Sequence, residues 1–252
     1  MKNKLIHSFL VLLIGFDVQS QISLTATTGT STGSYTNISA AFAAINAGTH
    51  KGSIVINITS DITAEPFLPT SLRESGFGPA SYSDVLIRPV GNRNVTGAFG
   101  LNSNRGMIEL FGAKNVTIDG DDPATAGTRN LAFTVNPASS NLTAAIRIGS
   151  NSTSAFSESI IIRNCVINGP RTTTSSTTLN CGIVISNATL ASLVTQGLSC
   201  KNIDILNNEI YRSHVGVFVV GPSTSGNEFS NIRIANNIIG ATTISSNQLG
   251  RA

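Results

Sequence analysis

Residues 202–219 read Asn202-Ile-Asp-Ile-Leu-Asn207-Asn208-Glu-Ile-Tyr-Arg-Ser-His-Val-Gly-Val-Phe-Val219. Apolar residues fall on alternate positions, break at paired asparagines and then resume, which spells strand, corner, strand. The same phrase recurs as Asn115-Val-Thr-Ile-Asp-Gly120, Ser159-Ile-Ile-Ile-Arg-Asn164 and Asn231-Ile-Arg-Ile-Ala-Asn236. In the last three copies a second short strand follows the corner, beginning Cys165-Val-Ile, Asn208-Glu-Ile or Asn237-Ile-Ile. A recurring unit of this kind builds its fold by stacking copies.

A further strand precedes each copy: Met107-Ile-Glu-Leu110, Ala145-Ile-Arg-Ile148, Gly182-Ile-Val-Ile185 and Gly216-Val-Phe-Val219. Equivalent residues Ile108, Ile146, Ile183 and Val217 lie 38, 37 and 34 positions apart, a period suited to one coil of a solenoid. An antiparallel sandwich also shows period-two alternation, but its two-residue hairpin signals are sparse here. From Leu110, Ile148, Ile185 and Val219 the steps to the next inward residue are 6, 12, 18 and 13, so insertions gather at one corner while the asparagine corner stays tight.

Parallel stacking at about 4.8 Å sets like residues on one another. Asparagine tolerates the left-handed backbone of a sharp corner. Stacked Asn164, Asn207 and Asn236 are thus expected to pass amide hydrogen bonds between rungs, each worth about 1 kcal/mol. The inward columns, Val116, Ile160, Ile203, Ile232 and Ile118, Ile162, Ile205, Ile234, carry the larger energy at roughly 1.5–3 kcal/mol per buried side chain. Burial holds the stack together, and asparagine chooses the bend.

Upstream, Ile38, Ala41, Phe42 and Ile45 fall at helical spacing, with Thr36 or Asn37 as cap and Gly48 as left-handed stop. This predicts an amphipathic helix covering the end of a sheet stack. The expected organisation is a leader over 1–20, an extended lead-in over 21–35, the capping helix and an irregular first coil over 36–100, and regular coils over 101–252 that stop without a cap, as in the N-terminal part of a longer product.

Lys2 and Lys4 precede the apolar stretch Phe9 to Phe16, and Val18-Gln-Ser20 suits a signal peptidase, which predicts cleavage after Ser20 and a secreted or cell-surface protein. The apolar stretch is too short to span a bilayer. Charged residues make up only 12% of the chain, whereas Asn, Ser and Thr together number 83 of 252. The small, scattered net charge argues against a nucleic-acid partner. Cys165, Cys181 and Cys200 match no zinc spacing, and Cys181, in phase with Ile183 and Ile185, is expected as a buried free thiol.

These repeats resemble the right-handed parallel β-helix, or pectin-lyase-like, superfamily. Ser39-Ala-Ala-Phe-Ala-Ala-Ile-Asn46 resembles the helix that caps its first coil. The run Thr32-Gly-Ser-Tyr-Thr-Asn-Ile38, with Asn46-Ala-Gly-Thr-His-Lys-Gly52, is similar to long exported surface proteins of Gram-negative bacteria. The resemblance spans about Tyr35 to Gly240. It implies an all-β fold, a right-handed parallel β-helix with a short N-terminal capping α-helix.

Members that cleave polysaccharides need two carboxylates flanking a glycosidic bond, or a base with a cation beside a uronate. The outward columns predicted by stacking are Glu109, Arg147, Val184, Phe218 and Thr117, Ile161, Asp204, Arg233, and neither holds two acids. Glu109 beside Arg147 and Asp204 beside Arg233 therefore read as cross-strand ion pairs on the outward columns, which add little if exposed. Glu109 and Asp204 remain the candidates if the chain is an enzyme. Asp119, Asp121 and Asp122 offer hard oxygen ligands for calcium, but Asp-Gly at a corner is ordinary turn chemistry. A lone His214 makes no active site. The expectation is a monomeric, non-catalytic module for adhesion or carbohydrate binding, working through its flat face and the loops Gly149 to Glu158 and Ser186 to Lys201. The alternative is a polysaccharide lyase or glycoside hydrolase with its site in loops or beyond residue 252.

Overall fold

The computed structural model describes residues 20–66, 68–99, 105–137, 143–150, 156–169, 180–186, 199–222 and 228–240. Strands β1 (Ile22–Gly29) and β2 (Thr32–Tyr35) form an antiparallel hairpin, followed by helix α1 (Ile38–Asn46). Then come circuits of three strands: β3 (His50–Ile58), β4 (Ile62–Glu65) and β5 (Leu72–Arg73); β6 (Tyr82–Pro89), β7 (Arg93–Phe99) and β8 (Gly106–Phe111). The third and fourth circuits are β9 (Lys114–Asp119), β10 (Leu131–Pro137), β11 (Ala144–Gly149) and β12 (Glu158–Arg163), β13 (Cys165–Asn168), β14 (Cys181–Ile185). Finally come β15 (Lys201–Leu206), β16 (Glu209–Tyr211) and β17 (Val215–Val219), then β18 (Ser230–Ala235) and β19 (Ile238–Ile239).

The members of each circuit join three different sheets in the same rotation. The first sheet has the order β18-β15-β12-β9-β6-β3-β1-β2, the second β19-β16-β13-β10-β7-β4, and the third β17-β14-β11-β8-β5. Apart from the antiparallel β1–β2 and β1–β3 pairs, every strand pairing among the described residues is parallel, which excludes the antiparallel sandwich. Register follows the repeat: Ile118, Ile162, Ile205 and Ile234 are successive partners in the first sheet, as are Ile108, Ile146, Ile183 and Val217 in the third. The second sheet stacks Val95, Phe133, Ile167, Ile210 and Ile239. As far as Ile205, Ile210 and the partly buried Val217 these columns fill one continuous apolar interior, whereas Ile234 and Ile239 on the last rung are exposed.

Backbone chemistry at the corners explains the asparagines. Asn164, Asn207 and Asn236 adopt φ of 56°, 52° and 58°, each between a first-sheet and a second-sheet strand. A second left-handed set, Asn115, Ser159, Asn202 and Asn231, sits one residue inside the start of the first-sheet strands. The third circuit turns instead at Gly120, where a Cβ would collide with the Asn164 carbonyl carbon and oxygen.

At the N-terminal end α1 lays Ile38, Ala41, Phe42 and Ile45 on the interior, all buried. Asn37 caps it by accepting from the Ala40 N–H at 2.8 Å, and Gly48 takes φ 70° just after it. Glu65 reaches from β4 to accept from Ile38 N and Ser39 N at 2.5 and 3.3 Å. Against the hairpin, buried His50 at the start of β3 lies between the Tyr35 hydroxyl (2.5 Å) and the Thr30 carbonyl (2.6 Å). Because a carbonyl only accepts, Nδ1 is the nitrogen that donates to Thr30. Among the described residues no helix is long and apolar enough to cross a membrane.

Candidate functional site

The outer face of the first sheet is the broad accessible surface that the stack creates. Val55, Leu86, Thr117, Ile161, Asp204 and Arg233 follow one another in register across six strands, all half-exposed except the exposed Arg233. Polar pairs flank this strip and close its end. The Arg88 guanidinium donates to Asn57 at 2.9 Å, and Arg163 holds Asp119 through Nε and Nη2 at 2.9 and 2.8 Å. Arg233 grips Asp204 with two bonds of 2.9 Å, and the Asn231 amide donates to Asn202 at 2.9 Å. These last four residues, with Ile232, line an open groove of about 350 Å³. Rungs repeat every ~4.8 Å, so the face presents amides and paired charges as a flat, regular ladder.

Asparagine bonding differs in detail from the sequence expectation. Asn207 does donate to Asn164 at 2.8 Å, and Asn164 passes the ladder on to Asp119 at 2.8 Å. Among the described residues no side-chain bond joins Asn236 to Asn207. Instead Arg129, from the loop after β9, binds the carbonyl and the amide oxygen of Asn207 at 2.8 and 2.9 Å. A more enclosed ladder runs through the second asparagine of each pair. Asn208 accepts from Cys165 N and donates to Ile162 O, at 3.0 and 2.9 Å, while Asn237 accepts from Asn208 N and donates to Ile205 O, both at 2.8 Å. The doublets Asn207-Asn208 and Asn236-Asn237 were the signal for this second ladder.

The outer face of the third sheet corrects the sequence reading. Glu109, Arg147 and Val184 were expected on the surface, yet each is buried, Glu109 and Arg147 with 0% exposure. Glu109 pairs with Arg105, accepts from Gly106 N at 3.0 Å and Ser71 Oγ at 2.8 Å, and stands 3.7 Å from Arg147. Arg147 also lies 4.9 Å over the Phe111 ring. Burial lowers the pKa of Arg147 to about 10; Glu109 opposes this and Arg105 adds to it. Glu109 and Asp204 stand on different sheets, β8 in the third and β15 in the first. Glu109 also presents no surface to a substrate.

Cys181 also departs from its expected phase. It packs with Ala144, Val184, Val215 and Phe218 in a cluster separate from the main interior. The neighbouring Gly182 is the residue that faces inward, where a Cβ would meet Ile210. All three thiols are free and buried. Burial pushes Cys181 up to about 12 and Cys200 up to about 11, and raises Cys165 further, so all are poor nucleophiles.

The acidic corner is occupied by its own backbone. Asp121 accepts from Gly127 N and Thr128 N at 2.9 and 3.1 Å, and Asp122 accepts from Gly91 N and Ala124 N at the same distances. Asp119 is engaged by Arg163 and Asn164. Among the described residues no set of three His, Cys, Asp or Glu is placed to hold a metal. His214 accepts from Asn180 N at 3.4 Å. Of the two candidate loops, residues 151–155 and 187–198 lie outside the described residues. Comparison with protein-family models, with curated proteins and with solved structures returns no match.

Proposed function

We propose that the chain is a right-handed parallel β-helix solenoid of the pectin-lyase-like kind, exported with cleavage after Ser20, that binds extended polysaccharide at the cell surface without cleaving it. The observation that carries this reading is the outer face of the first sheet: six accessible rungs in register that end on the Asp204–Arg233 pair and are flanked by Asn57–Arg88 and Asp119–Arg163. Periodic planar polar groups beside aliphatic patches suit the alternating hydroxyl and C–H faces of a sugar chain. The buried state of Glu109 favours binding over cleavage, because acid–base work needs carboxylates on both sides of one bond.

Affinity electrophoresis in gels of neutral glycan and of polyuronate tests the reading, with reducing-end release measured on the same preparations. Retardation in at least one gel, reduced by Arg163→Ala and Ile161→Ser and without sugar release, is the expected outcome. Turnover that disappears in Asp204→Asn or Glu109→Gln would instead make the chain a lyase or hydrolase.

A further inference from the structure

One corner between the first and second sheets is unlike the others. Asn164 alone turns the fourth circuit there and Asn207-Asn208 turn the fifth, whereas the third spends eleven residues, 120–130, between β9 and β10. The insertion leaves close against the fourth circuit: Gly120 N donates to Arg163 O at 2.8 Å, where a side chain would strike Asn164.

This insertion is fastened in two directions. Toward the second circuit, Asp122 accepts from Gly91 N at 2.9 Å, the Asn130 amide donates to Asn92 Oδ1 at 2.5 Å, and the Asn130 carbonyl accepts from Arg93 N at 2.7 Å. Toward the fifth, Arg129 donates to the carbonyl and amide oxygen of Asn207 and stands 4.0 Å from Glu209. Between the two, the Asp121 carboxylate accepts from Gly127 N and Thr128 N and so fixes the turn that aims Arg129.

Stacked repeats are coupled to their immediate neighbours alone, so a stack can open locally, one repeat at a time. Arg129 departs from that rule, because it belongs to the third circuit and binds the fifth, past the fourth. We propose that residues 120–130 form a strap, with Arg129 as its catch, that couples the second circuit to the fifth and makes the circuits between them open as one unit. Bonds from a guanidinium are stronger than neutral ones, which suits the one side chain that must bridge the gap.

Native-state amide hydrogen exchange on the full chain tests the strap. Arg129→Ala speeds exchange in β16 roughly tenfold. Arg129→Lys, which keeps a charge near Glu209 but not the paired bonds to Asn207, acts in the same direction. Asp121→Ala is the decisive variant. Among the described residues its carboxylate bonds only within the strap, yet its loss also speeds β16, and combining it with Arg129→Ala adds nothing further there. Unchanged β16 exchange in Arg129→Ala overturns the proposal. A β16 response confined to the Arg129 variants makes Arg129 a local contact and overturns it too, as does a response that adds in the double variant, which makes Asp121 a general stabiliser.

Discussion

The strands of the first and third sheets turn outer faces of opposite character to their surroundings. In β9 and β15 the pattern is charged or polar, then buried aliphatic, then half-exposed, as in Lys201-Asn-Ile-Asp-Ile-Leu206. In β8, β11 and β14 every residue is buried, as in Gly106-Met-Ile-Glu-Leu-Phe111 and Cys181-Gly-Ile-Val-Ile185. A parallel strand covered on both faces reads as a near-continuous apolar run, whereas one covered on a single face alternates. Glu109 and Arg147 are thus lone charges in apolar strands, and burial makes them structural. The same pair of opposite charges at Asp204 and Arg233, set in alternating strands, remains accessible.

Substitutions should separate the two faces. Glu109→Ala strands two guanidiniums beside a buried vacancy and is expected to cost about 3–5 kcal/mol in urea unfolding, whereas Asp204→Ala should leave the midpoint within error. Equal effects would erase the distinction. Within the first sheet, Ile162→Ala is expected to cost about 2–5 kcal/mol, against little change for its outward neighbour Ile161→Ala.

The capped end supplies a pH test. Desolvation by burial raises Glu65 from 4.5 to about 7, against the opposing N–H bonds of Ile38 and Ser39. Folding raises this pKa, so its stabilising contribution is complete below about 4.5 and is lost as pH rises through about 7. Thermal unfolding across that window should show a decline of about 3 kcal/mol, which Glu65→Gln removes. Smaller still, Asn208→Ala leaves Cys165 N and Ile162 O without their side-chain partner and is expected to cost about 1–3 kcal/mol. Asn207→Ala, at the more accessible corner, is expected to cost about 1 kcal/mol through its left-handed backbone.

Strand order, parallel stacking and register were legible because a repeat displays its own alignment: Ile108, Ile146 and Ile183 pair as their spacing required. The helix was legible from four apolar residues and an asparagine cap. Exposure was not, because alternation shows which side chains point outward but not whether a surface is covered. Glu109 and Arg147 were misplaced for that reason, although the unbroken apolar runs around them carried the clue. Contacts between distant segments, such as Arg129 on Asn207 or Ser71 on Glu109, leave no local pattern.

Pairwise distances between spin labels on the outer face of the first sheet test the stacked architecture most directly. With one label at Val55 and the second moved from Ile161 to Asp204 to Arg233, backbone separations should rise in equal steps, about 14, 19 and 24 Å. Separations that fail to increase in that order, or that jump irregularly, would contradict parallel in-register rungs.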